Sequence, residues 1–259
     1  MLFNIEHDSG PEITGYLVPD GFSSCATVLV IHAGQEVLRK QTHSPREALV
    51  TAGRHETGLC GFTLDESELP GLSTFDDLEL RDADTDLLIY RRCAREPLVL
   101  QKVFRFETHL FPMSRIDRAM QPRFHYYFPR IERFGLETSQ QTFLMSNADS
   151  VYISGRVSYR SVEYFLDQGY SSIGFVQDPY TEMAERILVL RIVGKEQDGI
   201  LGIRDNVVIE AMRMFARSLQ LDSEKELRRA FRDASPEVQM GFADPLVRQL
   251  TCRTSDEAV

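Results

Sequence analysis

The chain has no tryptophan and only four cysteines, Cys25, Cys60, Cys93 and Cys252, scattered through 259 residues. None forms a Cys-x-x-Cys pair, which removes the zinc-ribbon and thioredoxin patterns and leaves buried free thiols as the expected state. The histidines at 7, 32, 43, 55, 109 and 125 show no ligand spacing, so no metal site is expected. Long apolar runs are absent too. The richest stretches, residues 26–33 and 187–193, fall far short of the roughly 20 residues a membrane span needs. Positive charge is scarce, with 29 Lys+Arg against 39 Asp+Glu and a net charge of -10, which argues against a sequence-independent grip on nucleic acid. The opening Met1-Leu-Phe-Asn-Ile-Glu-His-Asp8 carries acids where a signal peptide would carry a basic region and an apolar run, and a cytoplasmic location is expected. No Gly-x-Ser-x-Gly elbow occurs, which disfavours a serine hydrolase.

What the chain does have is ample core material, 42% hydrophobic residues, enough for one large domain or two ordinary ones. Two are expected. Before residue 92 there are short β-forming runs: Ile13-Thr-Gly-Tyr-Leu-Val18, Ala26-Thr-Val-Leu-Val-Ile-His32, Gln35-Glu-Val-Leu-Arg-Lys40, Leu59-Cys-Gly-Phe-Thr-Leu64, Leu78-Glu-Leu80 and Asp86-Leu-Leu-Ile-Tyr-Arg91. Turn residues separate them at short intervals, and Ala33-Gly34 reads as a tight hairpin turn. This pattern predicts an all-β antiparallel sandwich over residues 1–92, an accessory domain. Arg91-Arg-Cys-Ala-Arg-Glu-Pro97 reads as the linker to an α/β domain over residues 98–252, with a short parallel sheet and a helical C-terminus.

That second domain centres on Val151-Tyr-Ile-Ser-Gly-Arg-Val-Ser-Tyr-Arg-Ser161, a strand, a turn and the start of a helix over residues 161–168, followed by a strand over residues 173–176. Two strands joined through a helix are expected to be parallel neighbours, with ligands at their carboxyl ends. The turn suits an anion. Gly155 allows close backbone approach, Ser158 and Ser161 offer hydroxyls, Arg156 and Arg160 offer guanidiniums, and a helix N-terminus points its N–H groups there. A capped helix start with solvated arginines is the competing reading. Upstream, Phe124-His-Tyr-Tyr-Phe128 is flanked by Arg123, Arg130 and Arg133. Such residues either stack on a sugar or base or serve as packing. Helices are expected over residues 136–147, 181–191, 206–219, 223–234 and 236–250, the fourth opened by a Ser223/Glu226 capping box.

Two resemblances attach to these residues. Ile13-Thr-Gly-Tyr-Leu-Val-Pro-Asp20 with Gly58-Leu-Cys-Gly-Phe62 resembles the β-sandwich modules attached to bacterial glycosyltransferases and other surface-polysaccharide enzymes. Gly15, Asp20, Gly61 and Phe62 match their pattern, while Tyr16 stands in place of a Trp and Cys60 in place of a His. Phe175-Val-Gln-Asp-Pro-Tyr-Thr-Glu-Met-Ala-Glu-Arg186 is similar to the strand-to-helix segment of sulfotransferases, with Gln177 where those proteins carry an Arg.

Two functional readings follow. In one, the chain is a transferase of bacterial surface-glycan biosynthesis. The Gly155 turn holds a phosphate-bearing donor such as a phosphoadenosine or sugar nucleotide, Arg156 and Arg160 neutralise developing charge, and Asp178 or Glu182 acts as base on a sugar hydroxyl. In the other, it is a non-catalytic binding or assembly protein with a degenerate transferase fold. Its partner is then a carbohydrate or a glycan-assembly enzyme, with self-association as an open alternative.

Overall fold

The computed structural model describes residues 1–21, 23–93, 96–109, 111–144, 148–192, 206–242 and 249–250. The chain forms two compact units. Unit 1 comprises Met1–Phe104, Arg115–Ser154 and Gly169–Ser171, and unit 2 comprises Arg105–Ser114, Gly155–Gln168 and Ser172–Val259.

Unit 1 contains two antiparallel four-stranded sheets. One has the order β1 (Leu2–Asp8), β2 (Glu12–Val18), β6 (Leu59–Asp65), β5 (Ser44–Pro45), and the other β4 (Gln35–Gln41), β3 (Thr27–His32), β7 (Leu78–Asp82), β8 (Leu88–Arg92). Their sequences alternate because one face is buried: Ile13 and Leu17 on β2, Val28 and Val30 on β3, and Leu78 and Leu80 on β7 all point into the core. The Ala33–Gly34 turn has φ of 49° and 78°, the left-handed pair of a two-residue hairpin whose twist matches the strands it joins. Gly15 and Gly61 have packing reasons. A Cβ on Gly15 would lie 2.6 Å from the Asn4 carbonyl oxygen and 2.9 Å from Cζ of the fully buried Phe62, and one on Gly61 would lie 2.7 Å from the Ser44 carbonyl oxygen.

The third sheet has the order β10 (Tyr126–Phe128), β11 (Val151–Gly155), β9 (Lys102–Phe106), β12 (Tyr170–Gly174). It is parallel. β10 and β11 pair in parallel register, and the Val151 N–H donates to the Gln101 carbonyl as the Glu107 N–H does to that of Gly155, so β9 ascends with β11. The sequence pattern predicts β11 and β12 as neighbours, but β9 lies between them. β9 carries Val103, Phe104 and Phe106, all buried, and a strand apolar on both faces takes the middle of a parallel sheet. β12 forms the edge and exposes all but Tyr170.

In the aromatic stretch Phe124, Tyr126 and Phe128 are buried as packing, while His125 and Tyr127 are half-buried. After α1 (Glu47–Thr51), α2 (Ser114–Met120) and α3 (Leu136–Phe143), the helices of unit 2 among the described residues are α4 (Tyr159–Leu166), α5 (Pro179–Ile192), α6 (Asn206–Ser218), α7 (Glu224–Arg232) and α8 (Pro236–Phe242). α5, α6 and α8 bury Ile187, Leu190, Ile209, Met212, Val238 and Phe242 in a common core. Ser223 accepts the Glu226 N–H at 3.3 Å at the start of α7, half of the expected capping box. Among the described residues no helix is long and apolar enough to cross a membrane. Of the cysteines Cys60 is buried as expected, whereas Cys25 and Cys93 are half-buried, and Cys252 lies outside the described residues. Cys25 sits at the surface with its Sγ 3.6 Å from His43 Nδ1.

Candidate functional site

The chain enters the parallel sheet at β9, moves to one side for β10 and β11, and then crosses β9 to place β12 on the other side. Loops on the two sides of β9 therefore diverge, and ligands of open α/β sheets bind at such a reversal, outside the carboxyl ends of the strands. Unit 2 holds those ends for β9, β11 and β12 together with the segments that follow them.

The centre is the end of β9. Arg105 and Glu107, each 2% exposed, form an ion pair at 3.1 Å. Residues two apart on a strand share a face, so the pair forms within one run of backbone. The Glu107 Oε2 also accepts the Met113 N–H at 2.7 Å, which folds the following loop back onto the strand end. The Glu107 Oε1 is buried and has no hydrogen-bond partner among the described residues. The Glu107 carbonyl accepts from Gln249 Nε2 at 3.1 Å, and the same nitrogen donates to the Val157 carbonyl at 3.3 Å. Two further bonds tie the strand ends together: the Thr108 hydroxyl donates to the Phe175 carbonyl, and the Arg156 guanidinium donates to the His109 carbonyl.

Around this frame the predicted anion-binding residues take particular places. Gly155 is the last, buried residue of β11, and Arg156 is half-buried on leaving it. α4 opens at Tyr159 with Ser158 as its N-cap residue, rather than at Ser161 as the apolar spacing predicts. The apolar periodicity only begins at Val162, the buried contact of the helix, and the first turn faces outward. Ser158 makes no side-chain cap bond. Its Oγ instead lies 2.8 Å from the Ser161 Oγ, so two hydroxyls stand together over the first turn. Arg160 is exposed in that turn and makes no hydrogen bond or ion pair among the described residues. Arg156, Ser158, Arg160 and Ser161 thus fall within one turn of backbone, next to helix N–H groups that lack partners within the helix.

The predicted carboxylates are both engaged. Asp178 is exposed and caps α5: its Oδ1 accepts the Thr181 N–H at 3.0 Å and the Thr181 hydroxyl at 3.2 Å. Glu182 is paired with Arg186 at 2.7 Å along the same helix. Arg105, Glu107 and Thr108 escape a reading of sequence spacing. The only signal is two opposite charges, two residues apart, at the end of the mostly apolar run from Val103 to Phe106.

No protein-family description, no curated protein and no solved structure is matched by this chain.

Proposed function

We propose that unit 2 binds a phosphate-bearing donor, a phosphoadenosine or a sugar nucleotide, at the turn from Gly155 to Ser161 and transfers a group from it to a carbohydrate hydroxyl. In this reading the chain serves bacterial surface-glycan biosynthesis in the cytoplasm. The observation that carries it is the strand order, which makes β9 the reversal point and sets the Ser158/Ser161 hydroxyl pair and Arg160, whose side chain has no partner among the described residues, at the neighbouring strand end. Gly155 lets phosphate oxygens approach the backbone, the hydroxyls and helix N–H groups bind them, and Arg160 supplies the compensating charge. Asp178 or Glu182 is the base for the acceptor hydroxyl, released from its helix contact when acceptor binds.

A second reading, a non-catalytic binding or assembly protein docking a carbohydrate or a glycan-assembly enzyme, is favoured by one observation. Both carboxylates are held in local helix contacts, Asp178 as a cap and Glu182 by Arg186.

The test is thermal shift against nucleotides, sugar nucleotides and the 3′-phosphoadenosine series. A ligand at 100 times its Kd adds about 2.7 kcal/mol of stability. Arg160→Ala, at an exposed position, is expected to leave the ligand-free melting temperature unchanged and to weaken the responding ligand at least tenfold, about 1.4 kcal/mol. A flat response across the panel overturns the donor site and leaves the binding-protein reading.

A further inference from the structure

We propose that Cys25 in unit 1 is a site of oxidation by hydroperoxides, with His43 as the base that takes its thiol proton. The proposal does not rest on the donor site of unit 2, since its readouts involve no nucleotide. Four groups meet at one end of the β3–β4 ladder: the Cys25 thiol, the His43 imidazole, the Gln41 amide and the Leu59 carbonyl.

The strand register brings them together. Thr27 pairs with Gln41 at the end of the ladder, and one more pair continues it: the Thr42 N–H donates to the Ala26 carbonyl at 2.9 Å, and the Ala26 N–H donates to the Thr42 Oγ1 at 2.9 Å. Ala26 and Thr42 are buried. Alternation then turns their neighbours outward, with Cys25 opposite His43 and with Gln41 on the same face two residues earlier. Gln41 and His43 are exposed and Cys25 is half-buried, so a small solute reaches the sulfur.

The Gln41 Oε1 lies 3.1 Å from His43 Nε2. An amide oxygen only accepts, so Nε2 carries the ring proton and Nδ1 turns its lone pair to the Cys25 Sγ, 3.6 Å away. Nucleophile, base and orienting group stand in the order that removing a thiol proton requires. Cys60 and Cys93 lie in the opposite setting: burial pushes both thiols up, away from the reactive thiolate.

The fourth group selects the electrophile. The Leu59 carbonyl oxygen lies 3.6 Å from the same sulfur, and it accepts hydrogen bonds but donates none. Acyl transfer to the sulfur builds an oxyanion, which needs donors beside it. A hydroperoxide instead brings an O–H that this carbonyl can accept. The thiol proton passes to Nδ1, the sulfur attacks the hydroxyl oxygen of the peroxide, the O–O bond breaks, and the other oxygen leaves as water or an alcohol with the proton from Nδ1. The sulfur gives two electrons to the peroxide and becomes a sulfenic acid, the reversible first step of thiol oxidation.

The experiment treats the reduced full chain with hydrogen peroxide, traps sulfenic acid with dimedone and follows each cysteine peptide by mass spectrometry. Cys25 is expected to be labelled about tenfold faster than Cys60, Cys93 and free glutathione. His43→Ala, at an exposed position, should remove that advantage without changing the melting temperature. Gln41→Leu should slow Cys25, and Gln41→Glu, which keeps an acceptor oxygen, should restore it, a pattern that a merely structural Gln41 would not give. Toward p-nitrophenyl acetate Cys25 should react no faster than glutathione. The proposal is overturned if Cys25 is labelled no faster than Cys60, if His43→Ala keeps the parent rate, or if the ester is accelerated as much as the peroxide.

Discussion

The antiparallel sheets of unit 1 and the strand-end loops of unit 2 satisfy their backbones by opposite means. In the sheets the ladders suffice: β2, for example, pairs with β1 on one side and β6 on the other, and its side chains are free to build the core. In the loops the carbonyls of Glu107, His109, Val157 and Phe175 are met by the side chains of Gln249, Arg156 and Thr108. A ladder tolerates any side chain that fits its face, but a loop held this way depends on particular ones. Substitutions in the sheets should therefore be felt as lost stability, and substitutions in the loops as lost geometry and binding.

The largest expected effect lies in the sheets. Phe62 is fully buried and its ring reaches Gly15, so Phe62→Ala should cost about 4 kcal/mol from lost transfer energy and the cavity left behind. Urea denaturation measures it. A cost under 1 kcal/mol would mean that β6 does not anchor this core.

Glu107→Ala comes next and tests the loop side. It removes one member of a buried ion pair together with the acceptor of the Met113 N–H, and about 3 kcal/mol is expected for leaving Arg105 without that carboxylate. Hydrogen exchange sharpens the comparison: the Met113 amide should lose its protection while the amides of β3 and β7 keep theirs. Equal loss in both places would show that the loop has no local stability of its own.

The smallest effect is a pH dependence. Burial works to raise the pKa of Asp8, but hydrogen bonds from Arg92, Tyr90 and the Gly10 N–H outweigh it and hold the carboxyl below its ordinary 3.8. A carboxyl depressed in the folded state adds stability above its unfolded pKa, and that stability is lost as pH falls through the folded value. Asp8→Asn lacks the contribution at every pH. The stability gap between the two proteins should be widest near neutrality and close below about pH 3.8. A gap that stays constant on acidification would sink this assignment.

Alternation made most of unit 1 readable. β2, β3, β6 and β7 each bury one face, and the predicted runs coincide with them to within a few residues. β1 escaped because a bulge between Ile5 and His7 breaks its period. β12 was expected at residues 173–176 and lies at Tyr170–Gly174, since an exposed edge strand needs no apolar pattern. Strand order was not legible either: β9 sits beside β11 and β12 through its own buried side chains, and nothing local in the intervening helix encodes that. Gly155, Arg156, Ser158, Arg160 and Ser161 could be singled out as a candidate group because they are contiguous in sequence. The Arg105–Glu107 pair could not be found as a buried group, because two charges in a strand read equally well as a solvated face.

The order of the parallel sheet also constrains how the chain is made. β9, one of its two inner strands, is synthesised first, yet β11 begins 49 residues later and β12 68 residues later. An apolar strand must therefore wait, with both hydrogen-bonding edges open, until distant partners leave the ribosome, and long-range parallel pairing is slow once they do. The antiparallel hairpin of β3 and β4, closed by Ala33–Gly34, has no such delay. During biosynthesis the hazard of misassociation is concentrated at Lys102–Phe106.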